Sequence, residues 1–136
     1  MIEVMKASHC AYKIRYHIGF SLKYRRKLLQ HNDRINYIKS ICSEIGERYW
    51  FKFDAIGTDG DHVHIFVGAA PRYSPSKVMQ IVKSITAKEF FKKFPEVKKQ
   101  LWGGEFWSDG GYIGTVGDGM MTDTIRNYIC RNTGNP

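Results

Sequence analysis

His62 and His64 are separated by a single valine inside an apolar, mostly β-branched run. In a β-strand, residues two apart point to the same face, so the two imidazoles would lie side by side. Val63 and Ile65 would point to the opposite face, into a core. Neutral imidazoles are common metal ligands, so this pair predicts half of a metal site whose other half comes from elsewhere in the chain.

A second pair of residues, near the end of the sequence, could join that chemistry. Tyr128 and Asn132 are four residues apart on a predicted helix, so they would share one face. A tyrosine hydroxyl has an ordinary pKa of about 10, which makes it a poor nucleophile at neutral pH. A metal ion held by the two histidines and the Asn132 amide would polarise a phosphodiester and hold it in line for attack by Tyr128.

Each of these residues also has an ordinary explanation. A His-x-His pair is often part of a solvated surface, and a tyrosine on a helix is usually a core or boundary residue. An asparagine near a helix end is commonly a cap. Taken singly, each residue leaves both interpretations open.

The charge of the chain points to a polyanionic partner. The sequence has 21 Lys and Arg against 13 Asp and Glu, a formal net charge of +8, which favours nucleic acid. The candidate residues for binding nucleic acid are Lys23, Arg25, Arg26, Lys27 and Arg72. Lys83 and Lys88 are weaker candidates, better explained as solvated charges. Trp102, Trp107 and Tyr112 could stack on unpaired bases, although core packing explains the two tryptophans better.

Length and composition predict one cytoplasmic domain. A chain of 136 residues fits a single compact unit, so residues 1–136 are assigned to one domain. No apolar run approaches the roughly 20 residues of a membrane-spanning helix, and the first residues lack the layout of a signal peptide. Three widely spaced cysteines outside any Cys-x-x-Cys pair argue against a disulfide framework or a zinc ribbon.

The first half of the chain predicts a strand, a helix and a hairpin. Apolar residues alternate with polar ones over 12–20, as in a half-buried strand with Arg15 and His17 on its polar face. A helix follows, and its apolar residues recur at helical spacing. Residues 49–56 are predicted as the next strand, which a turn at 57–60 joins to the histidine strand.

The caps expected for that first helix are specific. Asn32 or Asp33 would cap its N-terminus, and Gly46 would lie near its end.

The second half predicts a helix, a strand and a final helix. Ser74 is a good N-cap, and Pro75 suits the first helical position. This helix would end before Pro95. A strand is predicted over 112–116, and a short helix carrying the tyrosine over 122–132.

The predicted element order is β-α-β-β-α-β with one added helix. The first six elements match the ferredoxin-like (RRM-like) plan, an α+β fold in which an antiparallel sheet carries helices on one face. The histidine strand would be central in that sheet, with its second face open to a partner.

Together, these residues resemble the TnpA-type single-tyrosine HUH transposases of bacterial and archaeal insertion sequences, where HUH stands for His-hydrophobic-His. The resemblance rests on six blocks in the family's order and covers nearly the whole chain. The blocks are residues 16–18 with 23–29, 61–65, 73–78, 101–108, 111–117 and 128–129.

The resemblance implies both a reaction and its participants. His62 and His64 would bind Mg²⁺ or Mn²⁺, and Tyr128 would cleave single-stranded DNA at hairpin-containing element ends, leaving a 5′-phosphotyrosine. The family acts as a homodimer. It usually has glutamine four residues after the tyrosine, where this chain has the shorter Asn132. Either the helix that carries Asn132 lies closer to the metal, or Asp61 or water fills that coordination position.

Three alternatives share part of this pattern. A non-catalytic module could bind single-stranded nucleic acid through a ferredoxin-like sheet. A domesticated HUH nuclease would act on repeated palindromes with the same chemistry but without mobilising an element. A metal hydrolase would use water as the nucleophile and form no protein–DNA adduct.

Overall fold

A computed structural model of the chain describes residues 4–7, 10–101 and 104–117. In chain order, its elements are β1 (Met5–Ala7), β2 (Cys10–Tyr12), β3 (Arg15–Ser21), one 3₁₀ turn (Lys23–Arg25), α1 (Asn32–Tyr49), β4 (Lys52–Thr58), β5 (His62–Gly68), α2 (Pro75–Lys93), α3 (Pro95–Gln100) and β6 (Tyr112–Thr115). Within the described ranges, no helix is long and apolar enough to cross a membrane.

Four strands form an antiparallel sheet in the order β4-β5-β3-β6. Helix α1 connects β3 to β4, while α2 and α3 connect β5 to β6. This is the ferredoxin-like plan, so the predicted α+β fold class and the central position of the histidine strand are confirmed. Strands β1 and β2 form a separate two-stranded sheet that the alternation did not predict.

The hydrophobic core lies between the helices and one face of the sheet. Its members from the two central strands are Tyr16, Ile18, Phe20, Val63, Ile65 and Val67, and α1 and α2 contribute Ile35, Ile38, Ile45, Val78 and Val82. Because successive strand residues alternate between faces, His17, His62 and His64 lie on the face opposite this core. Packing of the central strands therefore fixes the backbone from which the histidines project.

The strand predicted over 12–20 is interrupted at Lys13 and Ile14, which fall between β2 and β3. Strand β5 ends at Gly68, which pairs with Arg15, so the residues before Arg15 have no partner on β5. Cys10–Tyr12 pair with β1 instead, in the small second sheet.

The alternation predicted that Arg15 points to solvent, but its side chain is buried and forms an ion pair with Asp54. Its side chain is 1% exposed, and its Nε donates to Asp54 Oδ2 at 2.7 Å. The guanidinium crosses Gly68, where any side chain would collide with it. The register of β4 shifts between Phe53 and Ala55, and the bulged residue is Asp54.

Helix α1 begins one residue earlier than the predicted cap allows. His31, whose backbone is extended, occupies the N-cap position and makes no side-chain capping bond. Asn32 and Asp33 are therefore the first helical residues rather than caps. Asp33 lies in the first turn, where its negative charge suits the helix dipole.

Helix α1 ends near Gly46, as predicted, but Gly46 is not its cap. The helix runs through Gly46 to Tyr49, and Trp50 caps it in the left-handed conformation with φ of +61°. Strand β4 begins at Lys52, so the predicted start of that strand at residue 49 is wrong. A Cβ at Gly46 would lie 3.0 Å from the Phe51 carbonyl oxygen, so this glycine serves a close approach inside the helix.

The second helix matches its predicted signals. The Ser74 hydroxyl accepts the backbone N–H of Lys77 at 3.1 Å, and Pro75 is the first helical residue. Helix α2 ends at Lys93, before Pro95, as predicted. Pro95 then begins α3, a short helix that the sequence did not predict.

Of the last two predicted elements, only the first lies within the described residues, which end at residue 117. The strand expected over 112–116 is observed as β6. The helix predicted over 122–132, with Tyr128 and Asn132, lies outside the described residues.

Candidate metal centre

The two histidines of β5 lie together on the sheet face away from the core. The ring centroids of His62 and His64 are 4.7 Å apart, with the rings nearly perpendicular, and both residues are half-buried. The predicted pairing of the two imidazoles on one face is therefore seen in the structure.

His62 lies between two carboxylates. Its Nδ1 is 2.6 Å from Asp61 Oδ1, and its Nε2 is 3.0 Å from Asp59 Oδ2. A neutral imidazole has one N–H, so it can donate to only one of these acceptors. The other contact joins two lone pairs, and this arrangement is favourable only with a positive charge on the ring or beside it.

Asp61 is held in its charged form by its surroundings. The hydrogen bond from His62 is the largest cause lowering the pKa of the Asp61 carboxyl, and the nearby Arg25 guanidinium lowers it further. As a carboxylate, Asp61 can only accept, so it favours a proton on His62 Nδ1 and a lone pair on His62 Nε2.

The turn between β4 and β5 brings a third donor to the histidines. Ligand atoms of Asp59, His62 and His64 lie within 4.8 Å of one another. The turn is fixed by Thr58, whose hydroxyl donates to the His62 carbonyl at 2.6 Å and accepts the Gly60 N–H at 3.0 Å. Gly60 has φ of +101°, a conformation that glycine adopts readily.

This donor set fits a divalent cation. Two imidazole nitrogens and a carboxylate oxygen are ligands shared by Mn²⁺ and the later first-row metals. A cation next to His62 Nε2 would also resolve its contact with Asp59. The sequence analysis missed Asp59, which stands in a turn-rich segment where aspartate has an ordinary structural role.

His17, on the neighbouring strand β3, also joins the cluster. Its Nε2 is 3.0 Å from His64 Nδ1. The ring is stacked on Phe66, with centroids 4.6 Å apart, and meets the edge of Tyr112 at 5.4 Å. Partial burial lowers the pKa of His17, which favours the neutral ring. The alternation placed His17 on the polar face but gave no sign of its contact with His64.

The basic segment, residues 23–27, follows β3 and lies beside this cluster. Its cations differ in their contacts. Lys23 forms an ion pair with Glu105 at 3.0 Å, which raises the pKa of Lys23. The Arg25 guanidinium is 3.5 Å from Asp61 Oδ2. Among the described residues, Arg26 and Lys27 are exposed and make no ion pair, so they are the most available cations of the segment.

Two residues of this segment have unusual backbone conformations. Tyr24 and Arg25 have φ of +59° and +51°, the left-handed region that side chains other than glycine rarely adopt. Such strain is commonly found at functional sites. Here it places Arg25 against the carboxylate that contacts His62.

The remaining DNA-binding candidates, Arg72, Lys83 and Lys88, differ in their exposure and contacts. Arg72 is exposed and lies 4.9 Å from the Tyr73 ring. Lys83 donates to the Ser108 and Gly110 carbonyls at 2.8 and 2.7 Å, so its ammonium anchors a loop. Lys88 is exposed on α2.

The aromatic candidates divide in the same way. Trp107 is buried, and its indole N–H donates to Thr86 at 3.0 Å, as expected of a core residue. Tyr112 is 58% exposed and lies next to His17, so it can present its ring to a partner. Trp102 lies outside the described residues, as do the predicted nucleophile Tyr128 and the predicted ligand Asn132.

Sequence comparison identifies relatives of this chain. Residues 10–132 match the protein family described as "Transposase IS200 like". The ISDra2 transposase TnpA of Deinococcus radiodurans is 27% identical over 128 residues, which cover 94% of this chain and 90% of that protein. The transposase for insertion sequence element IS200 of Salmonella typhimurium is 28% identical over 124 residues, covering 90% and 78% of the two chains.

Solved structures agree with these matches. A crystal structure from Deinococcus radiodurans, described as that of a candidate transposase, superimposes with a TM-score of 0.74 at 27% identity and covers 93% of this chain and 96% of that one. A REP-associated tyrosine transposase bound to a REP hairpin gives a TM-score of 0.59 at 11% identity, covering 93% and 72%. The second likeness shows the fold alone.

Proposed function

The chain belongs to the IS200-like transposase family, and from that premise we propose that it cleaves and rejoins single-stranded DNA through a covalent 5′-phosphotyrosine. The observation that carries the proposal is the meeting of His62, His64 and Asp59 within 4.8 Å of one another, with both histidines on the sheet face opposite the core. A bare nucleic-acid-binding sheet has no need of such a cluster.

We assign the nucleophile to Tyr128 and the metal ligands to His62 and His64. Asp59 is our candidate for the third ligand, because its carboxylate lies within 4.8 Å of ligand atoms of both histidines. Asn132 is the alternative. Asp61 contacts His62 Nδ1, which suits orientation of that ring better than coordination. Bound Mg²⁺ or Mn²⁺ would offset the negative charge that develops on the phosphate oxygens.

The proposed reaction is a reversible phosphoryl transfer. The Tyr128 oxygen forms a bond to phosphorus as it loses its proton, the P–O3′ bond breaks, and the released 3′-oxygen takes up a proton. In the joining step, a 3′-hydroxyl attacks the phosphotyrosine and restores the phenol. The link conserves the energy of the phosphodiester, so the cycle needs no nucleotide cofactor.

We propose that the DNA contacts the sheet face that carries the histidines and the basic segment next to it. Arg26 and Lys27 are exposed cations there, and Arg25 stands beside the histidines. Tyr112 could stack on an unpaired base. Hairpin DNA is the proposed substrate because a transposase of the same fold was solved with a REP hairpin bound. Two strand ends need two tyrosines, which a homodimer would supply.

A trapping experiment tests this function. Wild-type protein is incubated with Mn²⁺ and hairpin DNA that is labelled at either its 5′ or its 3′ end, and the products are separated on a denaturing gel. The 3′ label, which lies downstream of the cut, should migrate with the protein, and the 5′ label should not. Tyr128→Phe should form no adduct, because the attacking oxygen is gone. Tyr37→Phe, on the helical side of the fold, is the matched control and should react as the wild type does.

The same gel separates the alternatives. Cleavage by Tyr128→Phe without an adduct would indicate a hydrolase in which water attacks. Binding without cleavage by the wild type would indicate a non-catalytic module. A domesticated nuclease would give the same adduct, and imperfect palindromes in the DNA flanking the gene would distinguish it from the transposase of a mobile element.

A further inference from the structure

The neighbouring strand gives His64 a second imidazole as its partner. Strands β3 and β5 are antiparallel, with Gly19 opposite His64 and His17 opposite Phe66. His17 and His64 are therefore diagonal neighbours on one face, a separation that long or aromatic side chains can span.

Gly19 leaves room for this diagonal contact. A Cβ at that position would lie 3.2 Å from His64 Nδ1 and 3.3 Å from His64 Cε1. Both distances are tighter than ordinary van der Waals contact. The missing side chain lets the His64 ring lie across Gly19, where its Nδ1 reaches His17 Nε2 at 3.0 Å.

The His17 ring is itself held by packing. Phe66 stacks on it with an interplanar angle of 13°, and Tyr112 meets it edge-on at 69°. Its position is therefore fixed by two aromatic neighbours and the β3 backbone, independently of His64. A group held in this way can orient its partner.

The hydrogen bond decides which nitrogen of His64 can coordinate. One imidazole must donate and the other accept. If His17 donates, His64 carries its proton on Nε2 and has no lone pair for an ion. If His64 donates from Nδ1, its Nε2 keeps the lone pair. Asp61 favours the corresponding arrangement on His62 through the contact at 2.6 Å.

We propose that His17 is a positioning residue of the metal centre, which accepts the Nδ1–H of His64 and so keeps the His64 Nε2 lone pair for the metal. The inference rests on the proposed function, since it assumes that His64 is a ligand. Partners that fix the tautomer of a ligating histidine commonly change metal affinity by about 10- to 100-fold.

Metal affinity and a metal-free spectrum test the proposal together. In isothermal titration with Mn²⁺ and no DNA, His17→Leu should raise the dissociation constant by about 10- to 100-fold. His17→Gln should recover most of the affinity, because its amide oxygen can accept near the Nε2 position. His31→Leu, an exposed histidine at the start of α1, is the matched control and should bind as the wild type does.

Long-range ¹H–¹⁵N spectra of the metal-free wild type at pH 8 read the tautomer directly. They should show the His64 proton on Nδ1, and this measurement holds even if His17→Leu fails to fold. A proton on His64 Nε2, or wild-type affinity in a folded His17→Leu, would overturn the proposal. Absence of Mn²⁺ binding by the wild type would instead defeat the proposed metal function, while the spectrum would still decide the role of His17.

Discussion

At the scale of single residues, the two histidines of β5 have partners of different chemistry. Asp61 can only accept from His62, so it favours a proton on His62 Nδ1. His17 can donate or accept, so the contact with His64 allows two arrangements. We therefore expect His62 to be the fixed ligand of the pair and His64 to be the one that its neighbours control.

Asp59 and Asn132 are competing candidates for the third ligand, and titration separates them. We predict that Asp59→Ala weakens Mn²⁺ binding at least about tenfold, because even partners outside the ligand shell are worth that much. Isothermal titration without DNA measures it. Asp33→Ala, in the first turn of α1, controls for the lost charge. Wild-type affinity in Asp59→Ala with a loss in Asn132→Ala would assign the position to Asn132.

The buried thiol of Cys42 predicts a specific loss of stability in alkali. Burial raises the pKa of Cys42 to about 12 in the folded chain, from its ordinary value of 9.0. Above pH 9 the unfolded thiol ionises and the folded one does not, so stability falls by about 1.4 kcal/mol per pH unit from this group alone.

Urea unfolding of the wild type and of Cys42→Ala at pH 8 and pH 10 checks this prediction. The variant lacks the thiol, while the tyrosines and lysines that also titrate in this range are common to both proteins. The stability advantage of the wild type should therefore shrink by about 1.4 kcal/mol between the two values of pH. An unchanged advantage would contradict it.

The residues that sequence reasoning found and missed differ in the kind of contact involved. The pairing of His62 with His64 follows from strand geometry within one segment. The contact of His17 with His64 depends on which strand lies beside β5 and in what register, which one sequence does not specify. Asp59 was missed because an acid in a turn usually has a structural role.

At the scale of elements, α1 is capped by a residue in the left-handed backbone conformation, which lowers the free energy of unfolding. Trp50 has φ of +61° and is 73% exposed, so its ring gains little from burial. An L-residue in this conformation costs about 1–2 kcal/mol, which glycine avoids. We predict that Trp50→Gly is more stable than Trp50→Ala by about 1 kcal/mol in urea unfolding.

The comparison with alanine isolates the backbone effect, since both variants lose the indole. Equal stability of the two variants would mean that the chain relaxes out of the left-handed conformation at residue 50. Gly46→Ala, inside the same helix, should instead lose stability because its Cβ would lie 3.0 Å from the Phe51 carbonyl oxygen.

Boundaries were the least predictable property of the elements. The second helix was found correctly from Ser74, Pro75 and Pro95, whose effects are local. The first helix continues past Gly46 to Tyr49, because Gly46 accommodates a close approach to the Phe51 carbonyl rather than a turn. Similarly, β3 starts at Arg15 because β5 ends opposite it, a limit set by the partner strand.

At the scale of the whole molecule, the positive charge predicts DNA binding that weakens with salt. Each cation that neutralises a phosphate of single-stranded DNA contributes about 0.7 to the slope of log K against log salt. Arg26→Ala with Lys27→Ala should therefore reduce the slope by about 1.4 if both contact the DNA. Fluorescence anisotropy over a series of salt concentrations measures it.

Lys92→Ala with Lys99→Ala is the control, because it removes the same charge from α2 and α3. These exposed residues belong to the helices that cover the opposite face of the sheet. An equal fall in slope for both pairs would mean that net charge, rather than the basic segment, governs binding.

The overall architecture was more predictable than its details. The order of strands and helices selects the ferredoxin-like plan, which then fixes β5 as a central strand. The ion pair of Arg15 with Asp54 was not predictable, because it joins segments far apart in the chain. The small β1-β2 sheet is a local pairing, but the alternation over 12–20 hid the break that ends β2 at Tyr12.

The three clustered donors have a further consequence for how this domain folds. Asp59, His62 and His64 all belong to a single hairpin, whereas His17 comes from a strand more than 40 residues earlier in the chain. Short loops close before long ones. A cation could thus be captured by the nascent hairpin, ahead of β3 docking, and Mn²⁺ added during refolding would accelerate the earliest phase rather than the last.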